Sequence, residues 1–193
     1  MKEKTPPKIR IKQELLSQLE EVPYKKITMK GLAESLSMTR GNLYKHYSSK
    51  DEIILAIIQE RLDFVFDLLE SMEMASDAVN WHALLRQCSQ VLLVNKKMVC
   101  AVMTIDAEDL VFEHLKSFFA RILGHIARIN EIQIKDPDYF KLIVLHISGS
   151  GFNIVKGWAL NGMKTPAEQV AILCDDIINE SILEKLRFCD TGA

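Results

Sequence analysis

The stretch "TRGNLYKHYSSKDEIILAII", Thr39 to Ile58, holds two helical patterns back to back. The first ends at Tyr47 and is short; isolated helices below about 12 residues are marginal in water, so it needs neighbours to hold it. Thr39 is a good N-cap. Leu43 and Tyr47 stand four residues apart and form an inward pair. Arg40, Gly41, Asn42, Tyr44 and Lys45 are then left facing outward. The second pattern opens at Ser49-Lys50-Asp51-Glu52, which has the spacing of a capping box. It carries two apolar stripes, one of Ile54, Ile58, Leu62, Val65 and Leu69 and one of Ile53, Ile57, Phe64 and Leu68. A helix apolar on two faces is buried on two sides.

Working outward, Thr28 caps a preceding helix whose buried face is Leu32, Ala33 and Leu36. Ile11, Leu15, Leu19 and Val22 form the stripe of a first helix that Pro23 stops. Two short helices joined at "LSMTRGN" make a helix-turn-helix, whose second member enters the major groove of DNA. The residue types suit that work. Arg40 matches a guanine edge bidentately, and Asn42 matches an adenine or a phosphate. Gly41 lets the backbone come close. Tyr44, Lys45, His46 and Lys50 suit phosphate contacts, as do Thr28 and Lys30 at the start of the preceding helix.

The charge distribution agrees. The chain has 193 residues and a formal net charge of -2. Residues 1–50 hold 11 Lys/Arg against 5 Asp/Glu, whereas residues 51–193 hold 13 against 21. A head of +6 on a body of -8 points to a polyanion at the head alone. Two domains are therefore expected, residues 1–50 and 51–193.

The body reads as helical throughout. Further helices are expected over "SDAVNWHALLRQCSQVLLVN", around Val99 to Ile105, and along Val111, Leu115, Phe118, Ile122, Ile126 and Ile129. Asp136-Pro137 opens another, with Phe140, Val144, Ile147, Gly151, Ile154 and Trp158 on one side. "TPAE" at Thr165 to Glu168 opens a last helix running to about Leu186. The total is about nine helices and an all-α fold.

The run from Ile27 to Ile58 resembles the N-terminal signature of the TetR family of transcriptional regulators. Ile27-Thr28, Leu32-Ala33, Thr39-Arg40-Gly41, Leu43-Tyr44, His46-Tyr47 and Ser49 to Glu52 carry the likeness, which covers about residues 9–60. Two departures stand out: Ser37 occupies a turn position where many members have glycine, and "EEVPYKK" replaces a glycine-containing link. The resemblance implies a homodimer on a near-palindromic operator, acting as a repressor released by a small-molecule effector. An alternative inside the family is control by a partner protein, or activation of transcription. The last two helices, 137–161 and 166–187, would form a four-helix interface, with Ile147, Ser148, Gly151, Ile154, Trp158, Val170, Leu173 and Ile177 as candidates. "SGSG" at Ser148 to Gly151 either allows close approach of a second copy or admits a bulky core neighbour. The body would enclose an effector pocket; its candidates are Trp81, His82, Cys88, Met98, Met103, His114, Phe118, His125, His146 and Phe152.

Other classes find little footing. No GxSxG, P-loop, HExxH or post-strand GxGxxG is present, so catalysis is not expected. The four cysteines show no CxxC spacing, and the body histidines show no HxxxH, so neither a metal nor another cofactor is expected. The N-terminus has no apolar signal core, and no apolar run approaches the roughly 20 residues of a membrane span. A cytoplasmic location follows as an expectation.

Overall fold

The structure, a computed structural model, describes residues 5–71, 81–103, 105, 108–178 and 182–191; side chains at 68, 69, 71, 81–84, 108, 176–178, 183 and 191 lie outside that description. The described residues form ten α-helices and one 3-10 turn, with no strand among them. The helices are α1 (Pro7–Glu21), α2 (Met29–Ser35), α3 (Arg40–Tyr44), α4 (Lys50–Ser71), α5 (Trp81–Val94), α6 (Lys96–Val102), α7 (Glu108–Ile129), α8 (Pro137–Leu160), α9 (Ala167–Ile178) and α10 (Ile182–Thr191). The 3-10 turn is Tyr24–Lys26. The last helix expected from sequence is described as α9 up to Ile178 and as α10 from Ile182; residues 179–181 lie outside the described residues.

Local chemistry builds the head. The Thr28 hydroxyl accepts from the Gly31 N–H at 3.0 Å, and the Thr39 hydroxyl from the Asn42 N–H at 3.2 Å. Each satisfies one orphan donor of a helix start, worth about 1 kcal/mol. Between these helices, Ser37 sits at φ 52, the left-handed region that glycine adopts without strain. The turn is closed by Met38 N–H donating to the Ala33 carbonyl at 2.9 Å. The residue standing in for glycine therefore keeps the glycine conformation. At the start of α4, Glu52 N–H donates to Ser49 Oγ at 3.1 Å, while its carboxylate accepts from both the Ser48 N–H and the Ser48 hydroxyl. The reciprocal arm of the box thus lands one residue earlier than the SKDE spacing predicts.

Packing then joins head to body. One continuous core holds Ile11, Leu15 and Leu19 of α1, Leu32 of α2, Leu43, Tyr47, and Ile53, Ile54, Ile57 and Ile58 of α4. The same cluster continues into Ala101 and Val102 of α6, Val111 of α7 and Phe152 of α8. The two-sided burial expected of α4 holds over residues 53–58; beyond it Phe64 is 67% exposed, so the second stripe reaches the surface there. Val22, expected on the buried stripe of α1, is also exposed. Polar ties reinforce the joint. Buried Lys12 pairs with Glu60, and Lys97 of α6 pairs with the Glu20 carboxylate at 2.9 Å.

Lower down, α4 and α7 meet along a polar seam. His114 Nδ1 lies 2.6 Å from Gln59 Oε1, Arg121 pairs with Asp63 and stacks 4.0 Å over the Phe66 ring, and Arg128 reaches Glu70 at 3.2 Å. A second cluster packs α10 (Ile182, Leu186, Cys189) against α7 and α8, and a third packs Trp158 and Met163 with Val99, Ala167 and Val170. No helix among the described residues is long and apolar enough to cross a membrane.

Candidate nucleic-acid interface

Five residues of α3 cannot stabilise themselves. Leu43 is 0% exposed and Tyr47 5%, and these two fasten the segment to the head. Burying a leucine-sized side chain is worth about 1.5–3 kcal/mol. With that face committed, Arg40, Gly41, Asn42, Tyr44 and Lys45 are all exposed, and Tyr44 reaches 51%. His46 is half-buried. A Cβ added at Gly41 would meet no atom of the protein within 4 Å, so this surface is open to close approach.

Thr28 and Thr39 are exposed as well. Capping uses an acceptor of each hydroxyl, so the O–H proton remains free to donate to a phosphate. Lys30 makes only a loose pair with Glu34 at 3.7 Å, both side chains more than half exposed. Such pairs contribute little and exchange readily.

The head's cations are not equivalent, and sequence could not sort them. Lys50, expected at a phosphate, donates to the carbonyls of Tyr24 at 2.8 Å and Ile27 at 3.0 Å, with its ammonium 4.2 Å from the Tyr24 ring centroid. Two of its three donors are thereby spent on holding the 24–27 turn to the start of α4. The Tyr24 hydroxyl donates to Asp51 on the same helix, and burial, with that carboxylate second, pushes its pKa well above the ordinary tyrosine value. Arg10 donates to the Leu36 carbonyl at 3.2 Å, and Lys12 is buried against Glu60. Arg40 and Lys45 make no hydrogen bond or ion pair with another side chain among the described residues. They carry the available charge of the recognition segment.

Among the described residues, the expected effector residues fall at several separate places. Met98, Met103 and Phe152 pack around the first core, where Phe152 meets Phe112 edge-on at 5.6 Å. Phe118 lies against Phe119. His114 and His125 belong to the α4–α7 seam, His125 with Arg128 Nη2 2.7 Å from its Nδ1. His146 is exposed on α8. Cys88 is half-buried on α5, and burial raises its thiol pKa. All four cysteines are free thiols. The side chains of Trp81 and His82 lie outside the described residues. An open groove of about 590 Å³ does exist between the end of α1 and α6, lined by Glu20, Tyr24, Lys97 and Cys100 among others, but none of the expected residues lines it.

Of the expected dimer residues, Ile147, Ser148, Trp158 and Val170 are buried within the protomer. Trp158 is further held by its Nε1–H donating to the Thr165 carbonyl at 2.9 Å. Gly151 faces Phe119, and Ile154 packs against the third cluster. Leu173 is exposed as expected, while the Ile177 side chain lies outside the described residues. The outward face of α8 is instead Leu142, Leu145, Gly149, Asn153 and Leu160; on α9 Ile172 joins Leu173. Within "SGSG", Gly151 admits a core ring, while a Cβ added at Gly149 would meet nothing within 4 Å.

A capped, outward-facing α3 on an all-helical body defines a helix-turn-helix DNA-binding protein. Comparison with known proteins specifies which kind. The profile of bacterial regulatory proteins of the tetR family matches residues 14–57, and that of a transcriptional regulator C-terminal region matches residues 79–180. The chain belongs to the TetR family of transcriptional regulators. Among solved structures it is similar to the fatty acid degradation regulator FadR from Bacillus halodurans, with a TM-score of 0.63 at 16% identity over 92% of this chain and 98% of that one. It is also similar to the dihydroxyacetone kinase operon activator DhaS, with a TM-score of 0.56 at 15% identity over 94% of this chain and 96% of that one. At such identities the likeness shows the fold. No curated protein matches the chain.

Proposed function

We propose that this regulator binds a near-palindromic operator as a homodimer, represses transcription there, and is released by a small-molecule effector. Residues 1–50 read the DNA; residues 51–193 bind the effector and pair the protomers. The observation that carries the reading is the surface of α3: Arg40, Asn42, Tyr44 and Lys45 exposed around an open Gly41, with Leu43 and Tyr47 as inward anchors. Arg40 reads a guanine edge, and Asn42 an adenine edge or a phosphate. Thr28, Lys30, Thr39, Lys45 and His46 fix register on the backbone. Lys50 contributes its one remaining donor.

The dimer is supported by apolar surface that a lone protomer leaves in water: Leu142, Leu145 and Leu160 on one face of α8, and Ile172 and Leu173 on α9. Twofold pairing would set two recognition helices about 34–36 Å apart. An effector releases DNA only if it prefers the non-binding geometry; a differential of about 3 kcal/mol shifts the equilibrium roughly 100-fold. Fatty acids and their derivatives come first in a thermal-shift screen, because one fold neighbour is a regulator of fatty acid degradation.

A second reading, activation in place of repression, is favoured by the other neighbour, an operon activator. A reporter placed behind the selected operator separates the two by the sign of the response. The reading as a whole is tested by selecting bound fragments from random duplexes. Selection should yield an inverted repeat, and Arg40→Ala should relax one position per half-site at a cost of about 1–3 kcal/mol. Affinity for every duplex left unchanged by Arg40→Ala would overturn the assignment.

A further inference from the structure

We propose that Lys8, on the first turn of α1, is a backbone-phosphate contact of the operator complex, so that the interface extends beyond the helix-turn-helix to the start of the first helix. This rests on the DNA-binding reading above. Most of the head's other cations away from α3 are already engaged: Arg10 on the Leu36 carbonyl, Lys12 on Glu60, Lys50 on two backbone carbonyls, Lys30 loosely on Glu34. Lys8, like Lys25 and Lys26, is exposed and makes no ion pair within 4.0 Å among the described residues, yet it is not loose. Pro6 and Pro7 fix the backbone at the start of α1, and the Lys8 ammonium lies 5.7 Å from the centroid of the Tyr47 ring.

Tyr47 is the anchor that ends the recognition segment, with its N–H on the Leu43 carbonyl. Lys8 therefore stands where the start of α1, the end of α3 and the start of α4 meet. Glu52 confirms that neighbourhood: its carboxyl is held below the usual range by the Ser48 N–H and hydroxyl first, and by the Lys8 charge as well. In a helix-turn-helix complex the N-terminal part of the second helix faces base edges. A cation at the other end of that helix, beside its inward anchor, is placed against the groove wall, where phosphates lie. Ordering of the ammonium near the Tyr47 ring lowers the entropy lost on contact. The contact carries no sequence information; it adds affinity on any duplex and steepens the salt dependence.

The experiment is a salt titration of operator affinity for the full-length wild type, Lys8→Ala, Lys8→Arg, Arg40→Ala and Lys116→Ala. Lys116 is on α7 and removes the same charge from the body. Thermal melting of each variant is measured in parallel. Expected for Lys8→Ala is a salt slope shallower by roughly 0.9 per half-site, the same on specific and random DNA, with melting unchanged. Lys8→Arg should restore the slope and Lys116→Ala should leave it alone. If wild type binds DNA and Arg40→Ala relaxes specificity, but Lys8→Ala behaves like Lys116→Ala, this proposal falls by itself. If wild type binds no duplex at low salt, the DNA-binding reading falls and takes Lys8 with it.

Discussion

Gly41, proposed above as the point where DNA approaches α3, is not required by the protein's own packing. Nothing lies within 4 Å of the position a Cβ would take, and the residue occupies the second position of α3. Alanine is the better helix former by up to about 1 kcal/mol. Gly41→Ala should therefore leave the melting temperature unchanged or raise it, while weakening operator binding; melting and fluorescence anisotropy on one preparation check both. A fall in stability would mean that the glycine serves the fold. Residue-scale physics of this kind is largely legible in sequence. The caps at Thr28, Thr39 and Asp136 are fixed by partners two or three residues away, and Ser37 takes the left-handed turn that its position demands. Lys50 was not legible, because its carbonyl partners lie 23 and 26 residues back.

Among elements, the α4–α7 seam is where the lower part of α4 touches the body through polar groups. Asp63 holds a proton less readily than an ordinary aspartate, because Gln59 and then Arg121 hydrogen-bond its ionised carboxylate. A carboxylate with a lowered folded pKa stabilises above its unfolded value, about 3.9, and that contribution is lost as pH falls through the lowered value. Asp63→Asn should thus cost at most about 1 kcal/mol of stability at pH 6, since the pair is part-exposed. The gap between wild type and variant should close toward pH 3. Urea midpoints at the two pH values measure it, and a gap that widens in acid would contradict the assignment. Element-scale packing was only half legible. Both faces of α8 are apolar, so periodicity alone could not say which half packs inward.

For the whole molecule, the apolar rows of α8 and α9 set the expected assembly. Leu145 is 44% exposed and stands beside Gly149 on the outward face, away from the core residues Val144 and Ile147. Leu145→Glu should leave helicity intact but convert a dimer to a monomer and abolish tight binding to the two-half-site operator. Sedimentation and anisotropy report these separately. If the variant remains dimeric, the pairing surface lies elsewhere. The all-helical plan and the charged division of the chain were both readable from sequence, since charge and period are properties of residue order. Which apolar residues of α8 and α9 stay exposed was not, because that depends on how the protomer packs.

The core that runs from Leu43 through Ile53 and Ile54 to Val102 and Val111 has an engineering corollary. A chimera that exchanges the reading module at residue 50 would cut through the middle of a packed interior and mate two unmatched halves. A workable graft must carry the isoleucines of early α4 with the donor, and must recontour α6 and the first turn of α7 in the recipient. Altered operator choice is more safely sought by replacing side chains on α3 than by transplanting the unit that holds them.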